Sequence, residues 1–207
     1  MLEYKIRESI ELNEKSPSII LLHGYGSDEN DLFSFSEFLP KEYTIISVRA
    51  PLKTPMGGYS WFSINFSDSN EKWSNHEEAF TSISNLNLQI DYFIESYNLN
   101  ANEIDLMGFS QGAVLSWCLL LDHPIKINRA ICMSGYIDRH LLKRDINFYR
   151  DITAYSSHGM NDPVIPFLWA ENSIKLLKEN NPNVVFNSFQ DGHNVSPENF
   201  RKILSWL

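Results

Sequence analysis

Cysteine is nearly absent from this chain: two residues in 207, Cys118 and Cys132. Both sit inside apolar runs and form no C-x-x-C pair, which argues against a disulfide-rich scaffold, a dithiol redox centre or a cysteine zinc site. Basic charge is scarce as well, with 17 Lys and Arg against 26 Asp and Glu and a formal net charge of −9. Nucleic acids and anionic membranes demand a positive surface, so neither is an expected partner. Long apolar runs are missing too. The run from Ile19 to Leu22 falls far below the roughly 18 residues of a membrane span, so no membrane insertion is expected. The first residues mix charged and apolar groups without a secretory pattern, and a cytoplasmic protein is the expectation. Low-complexity tracts and internal repeats are also lacking. With 43% hydrophobic and 21% charged residues, the composition is that of an ordinary globular protein, expected to form one domain over 1–207.

What the chain does contain is alternation. Apolar, β-branched runs predict strands over 18–22, 43–48, 104–109, 129–134, 152–157 and 184–189, with an edge strand within 3–12 and a turn at 14–18. Helical spacing predicts helices over 28–39, 76–97, 111–121, 166–180 and 196–207. The second of these carries Phe80, Ile83, Ile90 and Phe93 on one face and opens on a Ser74-x-x-Glu77 capping box. Residues 51–75 form an aromatic-rich loop, and 137–151 a connection too short for a separate cap domain. Strands alternating with helices predict an α/β fold, a mostly parallel central sheet with helices on both faces. In such sheets the functional groups collect beyond the carboxyl ends of the strands.

Gly108-Phe109-Ser110-Gln111-Gly112 fills the G-x-S-x-G pattern between a predicted strand and a predicted helix. Such a turn can hold its serine in a strained conformation above the sheet. An alcohol is a weak nucleophile and needs a histidine to take its proton and an acid to orient that histidine. Ser110, Asp162 and His193 follow three different predicted strands, in the order Ser, Asp, His. Two competitors stand beside this reading: Asp162 before Pro163 also suits a plain turn, and Asp191 is a rival acid two residues from His193. The candidate oxyanion donors are the backbone amides of Gln111, directly after the serine, and Tyr25 in the early loop His23-Gly24-Tyr25-Gly26. A phosphate cradle or a plain turn is the alternative for that loop, although Gly24-x-Gly26 without a further glycine or a following lysine is a weak nucleotide signal. No local metal-ligand spacing is visible: His76-Glu77-Glu78 lacks a second histidine four residues on, and the Asp28 to Asp31 cluster suits helix capping.

These motifs resemble the small carboxylesterase, lysophospholipase and acyl-protein thioesterase family of α/β-hydrolases. The resemblance runs through Leu22 to Leu32, Arg49-Ala50-Pro51, Trp61-Phe62, Gly108 to Ala113, His158 to Pro166, and Gly192-His193 with Glu198. It implies an α/β-hydrolase fold and cofactor-free hydrolysis of a small-molecule acyl ester or thioester. It carries a triad onto Ser110, Asp162 and His193, and oxyanion amides onto Tyr25 and Gln111. Ser63 stands where an acidic residue often follows the Trp-Phe pair, and Tyr25 where leucine is common. The expected activity is therefore a serine carboxylesterase for short to medium acyl groups, with Trp61, Phe62 and Met160 on the apolar side of an open site. The alternatives are a long-chain lysophospholipase or thioesterase, and a hydrolase fold that only binds. A homodimer is compatible with the resemblance.

Overall fold

A computed structural model describes residues 1–11, 15–66, 72–122 and 126–207. Part of the turn expected at 14–18 and the end of the edge strand expected within 3–12 lie outside the described residues. The central sheet has seven strands: β1 (Tyr4–Arg7), β2 (Ser16–Leu22), β3 (Thr44–Val48), β8 (Leu99–Phe109), β9 (Arg129–Met133), β10 (Ala154–Gly159) and β11 (Val184–Phe189). Their order is β1-β3-β2-β8-β9-β10-β11, with only β1 antiparallel to its neighbour. Two short antiparallel strand pairs, β4 (Leu52–Lys53) with β5 (Tyr59–Ser60) and β6 (Ile64–Phe66) with β7 (Lys72–Ser74), lie in the segment 51–75 expected as loop, of which 67–71 fall outside the described residues.

The continuous apolar runs are explained by the two faces they serve. Ile20, Leu22, Ile46 and Val48 point to one side, under α1 (His76–Ser96), α2 (Gln111–Asp122) and α3 (Phe167–Lys178). Ile19, Leu21 and Ile45 point to the other, where Ile203 of α4 (Pro197–Trp206), Leu32 and Leu39 cover them. Successive residues alternate faces, so a strand covered twice must be apolar throughout. Among the described residues no helix is long and apolar enough to cross a membrane. Cys118 and Cys132 are buried and free, and burial pushes both thiols well above their ordinary value.

Two expected elements differ. The 28–39 helix reduces to one 3-10 turn at Leu32–Phe35. Asp28 Oδ1 accepts the Asn30 amide at 2.8 Å and Ser34 Oγ donates to the Asp31 carbonyl at 2.6 Å, so short polar side chains compete locally with the helical ladder. The cap of α1 is Asn75 rather than Ser74: Asn75 accepts the Glu78 amide at 3.2 Å, while Ser74 still belongs to β7. The inward face of α1 is accordingly Ala79, Ile83, Leu86, Ile90 and Phe93, and Phe80 is exposed.

At the end of the sheet remote from Ser110, Asp105 is buried against Arg129. Arg129 Nε donates to Asp105 Oδ2 at 2.8 Å, Asn128 donates to Oδ1 at 2.9 Å, and Arg129 Nη2 donates to the Tyr43 hydroxyl and the Leu207 carbonyl, both at 3.1 Å. One guanidinium thus joins β8, β9 and the end of α4. Burial holds the Asp105 carboxyl above its ordinary value, against the pull of Arg129. Arg129→Met is expected to cost about 3–5 kcal/mol of stability at neutral pH in urea unfolding, because it strands a buried carboxylate. A carboxyl raised in the folded state stabilises below its unfolded pKa and loses that contribution as pH rises. The Arg129→Met penalty should therefore shrink towards about pH 3.5, where Asp105 is largely protonated in both states; an unchanged penalty would contradict this account.

Candidate active site

Four strand ends converge. Beyond β8, Ser110 takes the left-handed φ of 54°, uncommon for a non-glycine residue, while its amide donates to the Met133 carbonyl at 2.9 Å. The flanking glycines make this turn possible. A Cβ on Gly112 would lie 2.0 Å from the Leu22 carbonyl oxygen, and one on Gly108 would lie 2.4 Å from the Gly112 carbonyl oxygen. Start of α2, end of β8 and end of β2 thus approach more closely than any side chain permits.

His193, beyond β11, brings Nε2 to 2.9 Å from Ser110 Oγ and Nδ1 to 2.6 Å from Asp162 Oδ2. Asp162, beyond β10, is buried, and its Oδ1 accepts the amides of Val164 and Ile165 at 2.8 and 2.9 Å. These bonds set the tautomer: Nδ1 donates to the carboxylate, leaving Nε2 to accept from the serine hydroxyl. The rival acid, Asp191, enters through its backbone, its carbonyl accepting the Asn161 amide at 3.0 Å. Buried His158 backs the cluster: Nε2 donates to the Ile165 carbonyl at 2.9 Å and lies 3.2 Å from Asp162 Oδ2.

Gln111 opens α2, where the first amides have no partner within the helix. Its side chain braces the opposite wall: Oε1 accepts the Trp61 amide at 2.9 Å and Nε2 donates to the Phe62 carbonyl at 2.6 Å. Tyr25 lies on the rim in a loop pinned on both sides, with the Gly26 amide on the Tyr59 carbonyl at 2.8 Å and the Ser27 amide on the Gly24 carbonyl at 3.3 Å. Beneath it, His23 is buried and neutral. Nδ1 donates to the Gly24 carbonyl at 2.7 Å and Nε2 accepts the Ala50 amide at 3.0 Å, and burial lowers its pKa. Arg49 grips Glu29 at 2.5 and 2.6 Å, holding that carboxyl below its ordinary value and tying the far end of the loop to β3.

Above Ser110 and His193 lies a cavity of about 300 Å³, walled by Tyr25, Phe62, Ile64, Tyr136, Val164 and Trp169 among others. Phe62 is where the sequence suggested. Trp61 and Met160 are not on its wall: Trp61 is fully buried, its indole N–H on the His23 carbonyl at 2.8 Å, and Met160 stands outside beside Gln190. Ile64, Tyr136 and Trp169 had no signal in the sequence, since no motif surrounds them and only tertiary folding brings them together. The buried bonds of His23, Gln111 and His158 were equally out of reach, although all three residues lie inside motif blocks.

A serine hydroxyl, an oriented imidazole and a buried carboxylate in one chain, under an apolar cavity and beside a helix N-terminus, are equipped for acyl transfer. The comparisons with known proteins agree with that chemistry. A family described as phospholipase/carboxylesterase matches residues 8–207. Acyl-protein thioesterase 1 of Cryptococcus neoformans is 23% identical, over 92% of this chain and 90% of its own. Among solved structures, a Bacillus cereus carboxylesterase shares the fold with a TM-score of 0.84 at 22% identity, over 100% of this chain and 93% of its own. The esterase PE8 does so with a TM-score of 0.84 at 21% identity, over 99% and 97%. The chain is a hydrolase of α/β-hydrolase fold and belongs to the phospholipase/carboxylesterase family.

Proposed function

We propose that the protein is a serine carboxylesterase that hydrolyses short to medium acyl esters without a cofactor. One observation carries this reading: the Ser110–His193–Asp162 chain, at 2.9 and 2.6 Å, opens into an apolar cavity of about 300 Å³. His193 Nε2 takes the hydroxyl proton as Ser110 Oγ attacks the acyl carbon. The amides of Tyr25 and Gln111 hold the oxyanion, each worth about 3 kcal/mol in such a site. The tetrahedral centre then breaks its bond to the alcohol oxygen, which takes the proton from His193. Water repeats the cycle on the acyl-serine, releasing the carboxylic acid and returning the proton to Ser110. Asp162 orients the imidazole and stabilises its charged form throughout.

The cavity volume lies at the low end of the range for small-molecule sites, about 300–1,000 Å³, which favours a short acyl group. A second reading, a thioesterase or lysophospholipase for long chains, draws support from Val164 and Trp169, which remain 42% and 43% exposed and could extend an apolar path outward. The name of the Cryptococcus neoformans relative points the same way. An acyl-length series of p-nitrophenyl esters with matched thioesters separates the two. The short-chain reading expects kcat/KM to peak at about eight carbons or fewer and to favour esters; rates still rising beyond about eight carbons, or preference for thioesters, would replace it with the second reading. Failure of Ser110 to label with a fluorophosphonate would remove both.

A further inference from the structure

His76 is distant in the chain from the neighbouring pair Asp138 and His140, yet the ligating atoms of all three fall within 4.8 Å of one another. His76 opens α1, Asp138 caps the single 3-10 turn Arg139–Leu141, and His140 lies inside it. His76 Nε2 is 3.2 Å from Asp138 Oδ2, and His140 Nδ1 is 3.3 Å from Asp138 Oδ1. The two imidazoles stack, with centroids 5.3 Å apart and planes 18° apart, each presenting a nitrogen to the same carboxylate. The hydrolytic reading has no use for any of the three.

Three electron-pair donors converge here, and each imidazole nitrogen can meet the carboxylate either through an N–H hydrogen bond or through a shared metal ion. A tetrahedral ion with bonds of about 2.0–2.2 Å holds its ligands roughly 3.3–3.5 Å apart; each ring nitrogen lies near that distance from one Asp138 oxygen, Oδ2 for His76 and Oδ1 for His140, and all the ligating atoms fall within 4.8 Å. Two imidazole nitrogens with one carboxylate oxygen suit zinc and its late first-row neighbours, whereas calcium and magnesium require oxygen shells. The Asp138 side chain is only 8% exposed, while His140 is 81% exposed and leaves one side of the cluster open to water. Neighbouring charge does not oppose a cation: Arg139 is paired with Asp145 at 3.3 Å, and Glu77 follows His76 in the first turn of α1.

We propose that His76 Nε2, His140 Nδ1 and the Asp138 carboxylate form a binding site for a divalent transition-metal ion, zinc in the first instance, with water as its fourth ligand. The local zinc spacing that the sequence lacks around His76 is supplied by the fold instead. The position gives the site a consequence. Ser74, two residues before His76, and Tyr136, two before Asp138, both wall the cavity above Ser110, so a bound ion ties together two segments of that wall.

The test is calorimetric titration of the metal-free protein with zinc chloride near neutral pH. One equivalent should bind with a micromolar dissociation constant, and His76→Ala and His140→Ala should each weaken it by at least about tenfold. His140 is a solvent-facing side chain, so His140→Ala should leave the metal-free melting temperature and basal ester hydrolysis unchanged. His193→Ala should retain the zinc equivalent, which separates this site from adventitious binding at His193 and Asp162. Cobalt titration gives a second readout, since its visible bands should appear in the wild type and vanish in His140→Ala. No saturable binding below about 1 mM zinc, binding indifferent to both His76→Ala and His140→Ala, or binding lost in His193→Ala would each overturn the proposal.

Discussion

Ser110→Ala is expected to lower kcat for p-nitrophenyl butyrate by roughly 10⁶-fold, the scale on which loss of a triad serine acts. The substitution removes one oxygen from a position whose backbone is held by other means. The Ser110 amide donates to Met133, and its carbonyl accepts the amides of Ala113 and Val114 at 3.0 and 3.1 Å; all three bonds survive without the hydroxyl. Alanine bears the left-handed φ of 54° no worse than serine does, because both carry one Cβ. Packing around the turn is set by Gly108 and Gly112 and is untouched. Melting temperature should therefore stay close to the wild-type value while turnover disappears, a separation that a structural role for the serine would not produce. Residual hydrolysis of the variant should reflect oxyanion donors and binding alone. A kcat within about tenfold of wild type would show that another group attacks the ester, and Ser110 would lose its assignment.

The residues proposed to carry this chemistry were readable because of where they stand. Ser110, Asp162 and His193 each follow a segment whose residues predict a strand, and strands of a parallel sheet end on one side. The structure brings these three together from the ends of β8, β10 and β11. Orientation in irregular backbone was not readable. Trp61 and Phe62 are neighbours of similar character, yet one is buried on His23 while the other faces the cavity, and that choice is made by the grip of Gln111 on both their backbones. Asn75 displaced Ser74 as a cap because the amide of Asn75 first pairs with the Ser63 carbonyl at 3.0 Å, a long-range bond that local preference cannot see. The 28–39 segment failed as a helix for the opposite reason, since its polar side chains satisfy the backbone locally. The His76–Asp138–His140 cluster belongs to the first kind: His76 stands 62 residues before Asp138 and shares no motif with the Asp138–His140 pair.

Asp162→Asn probes the same site with almost no change in shape, and its expected cost is roughly 10⁴-fold in kcat, by analogy with the known effect of this change in a serine protease. The mechanism follows from the partners of each oxygen. Oδ1 accepts two amides, from Val164 and Ile165, so the asparagine must keep its carbonyl oxygen there; the reverse orientation would set an NH₂ against two N–H donors. The NH₂ then occupies the Oδ2 position, facing His193 Nδ1 at about 2.6 Å and close to His158 Nε2 at 3.2 Å. Two donors cannot share the His193 bond, so Nδ1 must become the acceptor and the ring proton must move to Nε2. There it confronts Ser110 Oγ at 2.9 Å, where the wild type has its base. On the proposed mechanism, Ser110 keeps its place and loses the atom that deprotonates it. The proton on Nδ1 in the wild type should accordingly be found on Nε2 in the variant, which nitrogen-15 spectra of the imidazole can read directly. A kcat loss below about tenfold, or an Nδ1–H tautomer retained in Asp162→Asn, would mean that Asp162 does not orient His193 and that another group fixes the ring.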